Sequence, residues 1–226
     1  MTLKIKNKII LNIIPFFIGT LISFSLPPYN YLIVNFIFFP ILFIFFVANF
    51  GRNKWESFKI GWLFGLGYFI SNIYWITNSL TFDDQFKKLI PIAFLIIPLF
   101  LGLFYGIATL ACSFFDLKNN FSSILIFALA ISFIEFIRGF ILGGFPWNLH
   151  AFSLVNYISF LQSLSLIGTY TFNLLAITIF IIPSIFFFKN SLRSKLISVI
   201  FIIVLLISNY IFGITKIDKY NNKDNI

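Results

Sequence analysis

Long apolar runs separated by short polar stretches set the pattern of this chain. The runs occupy residues 9–26, 31–50, 58–80, 89–115, 122–143, 157–188 and 196–214. A helix needs about 20 apolar residues to cross the roughly 30 Å hydrocarbon core of a bilayer. On that scale the pattern predicts an all-α, polytopic transmembrane helix bundle of about seven spans. Residues 1–214 form its single domain and 215–226 a short polar tail. The sixth run is too long for one straight span, which predicts a kink or an interfacial stretch within 157–168. Gly143 and Gly144 are expected to end the fifth span, and Pro146 holds the residue before it extended. In the third run, Gly61 and Gly65 stand at the spacing that lets two helices approach closely.

Composition agrees with the pattern. Hydrophobic residues make up 60% of the 226 residues and charged ones only 10%, with a mean hydropathy of +1.00. Soluble domains carry about 25% charged residues, and a water-soluble fold could not hide this much apolar surface. The 35 phenylalanines, with abundant Ile, Asn and Lys, fit an AT-rich coding bias, so a single Phe carries little specific meaning. The first run follows a basic start but no small-x-small cleavage site, so it reads as a retained helix.

A net charge of +9 would suggest a nucleic-acid partner in a soluble protein, but here the basic residues lie between apolar runs. They report orientation instead, and no nucleic acid is expected. With the N-terminus in the cytoplasm, that side collects Lys4, Lys6, Lys8, Arg52, Lys54, Lys59, Lys118, Lys189, Arg193 and Lys195. The other side receives Lys87, Lys88, Lys216, Lys219 and Lys223, half as many, so the C-terminus is expected outside. One cysteine and one histidine, Cys112 and His150, allow neither an internal disulfide nor a metal cluster, and no cofactor is expected. Cys112 sits in an apolar run without a neighbouring base and reads as packing.

Two ionisable residues fall within a span. Glu135 and Arg138 are three residues apart, on one helix face and close enough to pair. Such residues at membrane depth are costly and invite a functional reading. Arg138 suits an anionic headgroup, with Glu135 as its companion. A purely structural ion pair explains the spacing equally well. Directly afterwards come Gly144, Phe145, Pro146, Trp147, Asn148, Leu149 and His150, either an interfacial loop with an aromatic anchor or the mouth of a lipid-facing cavity. Tyr74 and Trp75, near the outer end of the third run, are belt residues or substrate contacts on the same reasoning.

Taken in order, these landmarks resemble a family. The Pro-Pro-Tyr-Asn turn at 27–30 is followed by Gly-Trp-Leu-Phe-Gly-Leu-Gly-Tyr-Phe at 61–69, then Tyr74-Trp75. Glu135-Phe136-Ile137-Arg138-Gly139, Gly144-Phe145-Pro146-Trp147 and Gly168-Thr169-Tyr170 complete the series. The series, over roughly residues 10–214, resembles the N-terminal membrane region of bacterial apolipoprotein N-acyltransferase.

The resemblance implies a multi-pass protein of the bacterial inner membrane. It implies transfer of a fatty acyl chain from a membrane phospholipid donor to the N-terminal diacylglyceryl-cysteine of a lipoprotein acceptor. In the family a Glu-Lys-Cys triad, on a nitrilase-like domain between the seventh and eighth helices, forms an acyl thioester outside the membrane. The thirteen residues after Gly213 contain no Glu and no Cys, so none of that triad can be carried over. The expectation is a truncated or split protein, inactive alone and completed by a separate nitrilase-like chain. Arg138, Glu135, Trp147, Phe145, Tyr74, Trp75 and His150 are its candidate substrate- or lipid-binding residues, and no catalytic residue is assigned. Two alternatives stay open: an intramembrane acyltransferase using His150 as base, and a lipid or small-solute transporter or structural membrane subunit.

Overall fold

The computed structural model describes residues 8–49, 54–141, 144–189 and 192–221. Among them every regular element is helical: α1 (Lys8–Ser23), α2 (Ile33–Asn49), α3 (Lys54–Asn72), α4 (Ile90–Cys112), α5 (Phe121–Arg138), α6 (Ile158–Leu161), α7 (Leu164–Ile181) and α8 (Leu192–Asn221), with short 3-10 segments between some of them. The seven long helices lie in the seven apolar runs. By length and composition four stretches can cross a membrane: Lys87–Cys112, Phe121–Arg138, Leu164–Phe187 and Lys195–Tyr220. α1 and α2 are apolar but shorter, and α3 is the least apolar of the three.

Packing explains α3. The helices α1, α3, α4, α5, α7 and α2 form a closed ring in that order, each touching the next and α2 returning to α1. α3 is clasped on both sides, most closely by α4 and α1, so it spends few side chains on lipid. Glycines make the clasp possible. A Cβ on Gly65 would stand 2.8 Å from the Gly102 Cα, and one on Gly61 would meet Tyr105 and Thr109. On the other face, Gly67 abuts the Phe16 backbone and Gly19 the backbone of Phe64 and Tyr68.

The interior of the ring is filled by aromatic rings. Phe39 of α2 stacks on Phe180 of α7 at 5.9 Å, Phe43 meets Phe127 of α5 at 5.5 Å, and Phe64 meets Tyr105 edge-on at 5.2 Å. All six side chains are buried. Each such pair contributes about 0.5–1.5 kcal/mol beyond its area burial. The Phe-rich composition thus supplies a specific core.

Three boundaries differ from the sequence pattern. The third run ends as an α-helix at Asn72 and continues as a 3-10 turn, Tyr74–Thr81. The fifth helix stops at Arg138, with Gly139 as its cap; Gly143 lies outside the described residues. Position 139 admits no side chain, because the Tyr170 hydroxyl of α7 fills the place where a Cβ on Gly139 would sit. The last helix continues through 215–221, part of the expected polar tail. Of the residues used for orientation, Lys4, Lys6, Arg52 and Lys223 also lie outside the described residues.

The sixth run breaks as its length suggests, into α6, α7 and the 3-10 segment Ile182–Phe187. Within α7, Gly168 has φ 74° and ψ 166°, a backbone region essentially reserved for glycine. No neighbouring atom lies within 4 Å of a Cβ built there, so only backbone strain opposes a side chain. Gly168→Ala is therefore expected to lower stability by about 1–3 kcal/mol, read from unfolding in detergent. An unchanged midpoint would mean that the kink is not held in the folded chain.

Candidate functional site

At one end of the ring, the segment 144–154 folds inward between the helices. Loop backbone inside a membrane protein must find internal partners, because lipid offers none. Here the partners come from most of the ring. Tyr68 of α3 donates its hydroxyl to the Asn148 carbonyl at 2.9 Å. Asn173 of α7 accepts the Ala151 N–H on Oδ1 at 2.9 Å. Asn35 of α2 donates to the Ser153 hydroxyl at 2.9 Å, which itself donates to the His150 carbonyl at 2.7 Å. At the C-terminus of α5 the Phe145 N–H caps the Arg138 carbonyl at 2.9 Å. Asn148 takes a left-handed conformation, φ 59°, which Asn tolerates better than most residues.

Glu135 is the hub of this arrangement. Its Oε1 accepts from the Tyr105 hydroxyl at 2.5 Å and its Oε2 from Asn173 Nδ2 at 2.6 Å. Tyr105 also meets His150 Nε2 at 3.0 Å. Since the single tyrosine proton points to Glu135, His150 must present its own Nε2–H to the tyrosine oxygen. The chain of donors therefore runs His150 to Tyr105 to Glu135. Arg138 completes the charge: its Nη2 lies 3.8 Å from Glu135 Oε1, and its guanidinium sits 5.1 Å from the Phe69 ring and 5.7 Å from the Phe145 ring. No guanidinium nitrogen makes a hydrogen bond with another described residue. The charge is held by one carboxylate, two ring faces and the C-terminal end of α5.

The candidate residues thus fall into two groups. Glu135, Arg138 and His150 are at most 1% exposed and form one buried network, with Phe145 half-buried over Arg138. His150 is accordingly a core residue of the bundle, where Tyr105 and Ser153 bond to its ring and its carbonyl. Trp147, Trp75 and Tyr74 are 57%, 44% and 49% exposed. The structure brings Trp75 and Trp147 together edge-to-face, ring centroids 6.3 Å apart, although they are far apart in sequence. Sequence reasoning missed Tyr105, Asn173, Tyr68, Asn35 and Ser153. The available signal was an amide within an apolar run, at Asn35 and Asn173, since a buried amide needs partners.

Cys112 closes α4, wholly buried, with no metal-binding group of three or more His, Cys, Asp or Glu among the described residues.

Comparison with known proteins places this arrangement. The family model described as the apolipoprotein N-acyltransferase N-terminal domain matches residues 18–182, which include every residue of the buried network. The apolipoprotein N-acyltransferase of Brucella melitensis biotype 1 is 32% identical over 178 residues, covering 75% of this chain and 33% of that protein. Those of Rhizobium rhizogenes and Sinorhizobium medicae are each 30% identical, over 175 and 192 residues, covering 74% and 80% of this chain and 33% and 35% of theirs. The chain spans about a third of the length of the curated relatives it matches. On the strength of the family match, this chain belongs to the apolipoprotein N-acyltransferase family through its N-terminal membrane domain.

Proposed function

We propose that the chain is the membrane-embedded part of an apolipoprotein N-acyltransferase. It positions a phospholipid acyl donor and a diacylated lipoprotein acceptor for transfer of a fatty acyl chain to the lipoprotein's N-terminal cysteine. The observation that carries this reading is the exposed Trp75–Trp147 pair, mounted on a loop that the Glu135 network holds from inside. An aromatic rim on a rigid support suits a lipid substrate, since binding geometry and not chemistry is what such a part contributes. Tyr74 extends the rim; Glu135, Arg138 and His150 are positioning residues beneath it, and Phe145 lies between the two layers.

In this reading the thioester-forming cysteine belongs to a nitrilase-like part, on the same longer polypeptide or on a separate chain. Cys112 cannot supply it, being wholly buried. The bacterial inner membrane is the site of action. The N-terminus faces the cytoplasm and the rim faces outward, an orientation supported by the excess of basic residues on the opposite side.

The test is acyl transfer in proteoliposomes. The 226-residue chain alone is expected to transfer nothing, and co-expression with a nitrilase-like domain to restore transfer. In the restored system Trp147→Ala should lower transfer by about tenfold or more through mispositioned substrate. Its unfolding midpoint should stay unchanged, because the indole is exposed. Robust transfer by the chain alone, or full transfer by the tryptophan variant, would remove this reading.

A further inference from the structure

α8 is fastened to the ring near its ends. Gly213 lies against the Ser159 backbone of α6, and Lys195 Nζ donates to the Phe186 carbonyl at 3.2 Å. Between these points α8 scarcely meets α7; one hydrogen bond, from Asn209 Nδ2 to the Ser163 hydroxyl at 3.2 Å, reaches the start of α7. The gap is a cavity of about 510 Å³ whose lining includes Phe36, Phe160, Ile179, Leu205 and Phe212. An empty apolar gap of this size between two helices has no partner atoms and destabilises its own walls. In a membrane something apolar fills it.

The two ends of the gap are chemically different. Past Leu166 and Phe212 it continues into a second cavity of about 430 Å³, lined also by Ser165, Thr215, Lys216, Lys219 and Tyr220. Lys216 Nζ donates to the Ser165 hydroxyl at 2.5 Å and lies 6.0 Å from the Phe212 ring, at the junction of the two. Asp218 is not part of either lining. Along α8 the distance from Leu205 to Lys216 is about 16 Å at 1.5 Å per residue. That matches one leaflet, about 15 Å of the roughly 30 Å hydrocarbon core.

We propose that the α7–α8 groove is the seat of one resident anionic phospholipid, its acyl chain along Leu205–Phe212 and its phosphate on Lys216 and Lys219. The charge at one end and the leaflet-length, mainly apolar path, interrupted by Ser163, Ser208 and Asn209, favour a lipid over another helix. The groove shares Leu154 with the inward segment that carries Trp147, but neither tryptophan of the rim and none of Glu135, Arg138 and His150 lines it. The lipid is a structural ligand that joins α8 to the bundle, independent of the acyl donor.

Native mass spectrometry of the 226-residue chain, released from nanodiscs of equal parts phosphatidylglycerol and phosphatidylcholine, tests it. One retained phosphatidylglycerol per chain is expected. Each lysine near an anionic headgroup contributes about fivefold. Lys216→Gln with Lys219→Gln should therefore erase about 25-fold of the preference, while the paired arginine replacements keep it. Ser208→Trp, which fills the groove from α8 and leaves both lysines in place, should release the lipid. Equal retention of the two phospholipids, a preference unmoved by the glutamines, retention in the tryptophan variant, or a chain dimer in place of the lipid each overturns the proposal.

Discussion

Glu135→Ala is expected to destabilise the folded chain by about 3–5 kcal/mol, the usual effect of removing one partner of a buried charge pair. Two contributions compete to explain such a loss. The hydrogen bonds from Tyr105 and Asn173 to the carboxylate vanish, but within membrane proteins such bonds average only about 0.6 kcal/mol each. The larger part comes from Arg138, which is 1% exposed and has no other carboxylate within 4 Å among the described residues. Its two neighbouring rings offset only a fraction of that charge. The double variant Glu135→Gln with Arg138→Met should accordingly be less damaged than Glu135→Ala alone, although it changes more atoms. Denaturant unfolding in detergent micelles measures both. A loss under about 1 kcal/mol for the single variant would show that the guanidinium does not depend on Glu135.

Gly67→Leu is expected to prevent α1 and α3 from packing, and even Gly67→Ala to destabilise. Helix propensity alone gives the opposite sign, since alanine gains about 1 kcal/mol over glycine inside a helix. The neighbour decides the outcome. A Cβ on Gly67 would collide with the Phe16 carbonyl of α1, which is backbone and cannot rotate aside. Overpacking of a closed core costs about 1–3 kcal/mol for small insertions, enough to reverse the propensity gain. The larger leucine has no room in any rotamer. Circular dichroism melts would settle the sign, and a stabilised alanine variant would show that α1 can step back from α3.

These two positions also show what could be read from the sequence. Glu135 and Arg138 stand out because charge inside an apolar run is rare, and their spacing fixes a shared face whatever the fold. Gly67 does not stand out. Its neighbours Gly61 and Gly65 form the visible spacing, and they serve α4, while Gly67 turns to α1. Tyr105 was hidden, and Asn173 marked only by its amide in an apolar run, for a related reason. Each is uncharged, and each gains its meaning from a partner at least 30 residues away.

Helix existence was legible because the apolar runs are long; helix ends were not. The glycine that caps α5 is one of three between 139 and 144, and composition alone did not say which of them ends the helix. The fourfold association of Trp147 with a loop, a buried ion pair, a distant tryptophan and an inward histidine needed coordinates. The motif Gly-Phe-Pro-Trp marked only the place.

The inward loop carries a consequence for how the chain is made. Asn35 finds its partner Ser153 only 118 residues later. Translation at about 5–20 residues per second opens an interval of about 6–24 seconds between the two. During it α2 has already emerged, yet its amide and the Tyr68 hydroxyl wait for the segment that binds them, and Glu135, once made, has Tyr105 but not yet Asn173. The ring must stay open on one side until α7 arrives with Asn173. Insertion of the first five helices therefore yields an open, largely apolar ring in which a few polar side chains still lack partners, and the period before α7 is synthesised is when a membrane insertase or chaperone beside the nascent chain would matter most.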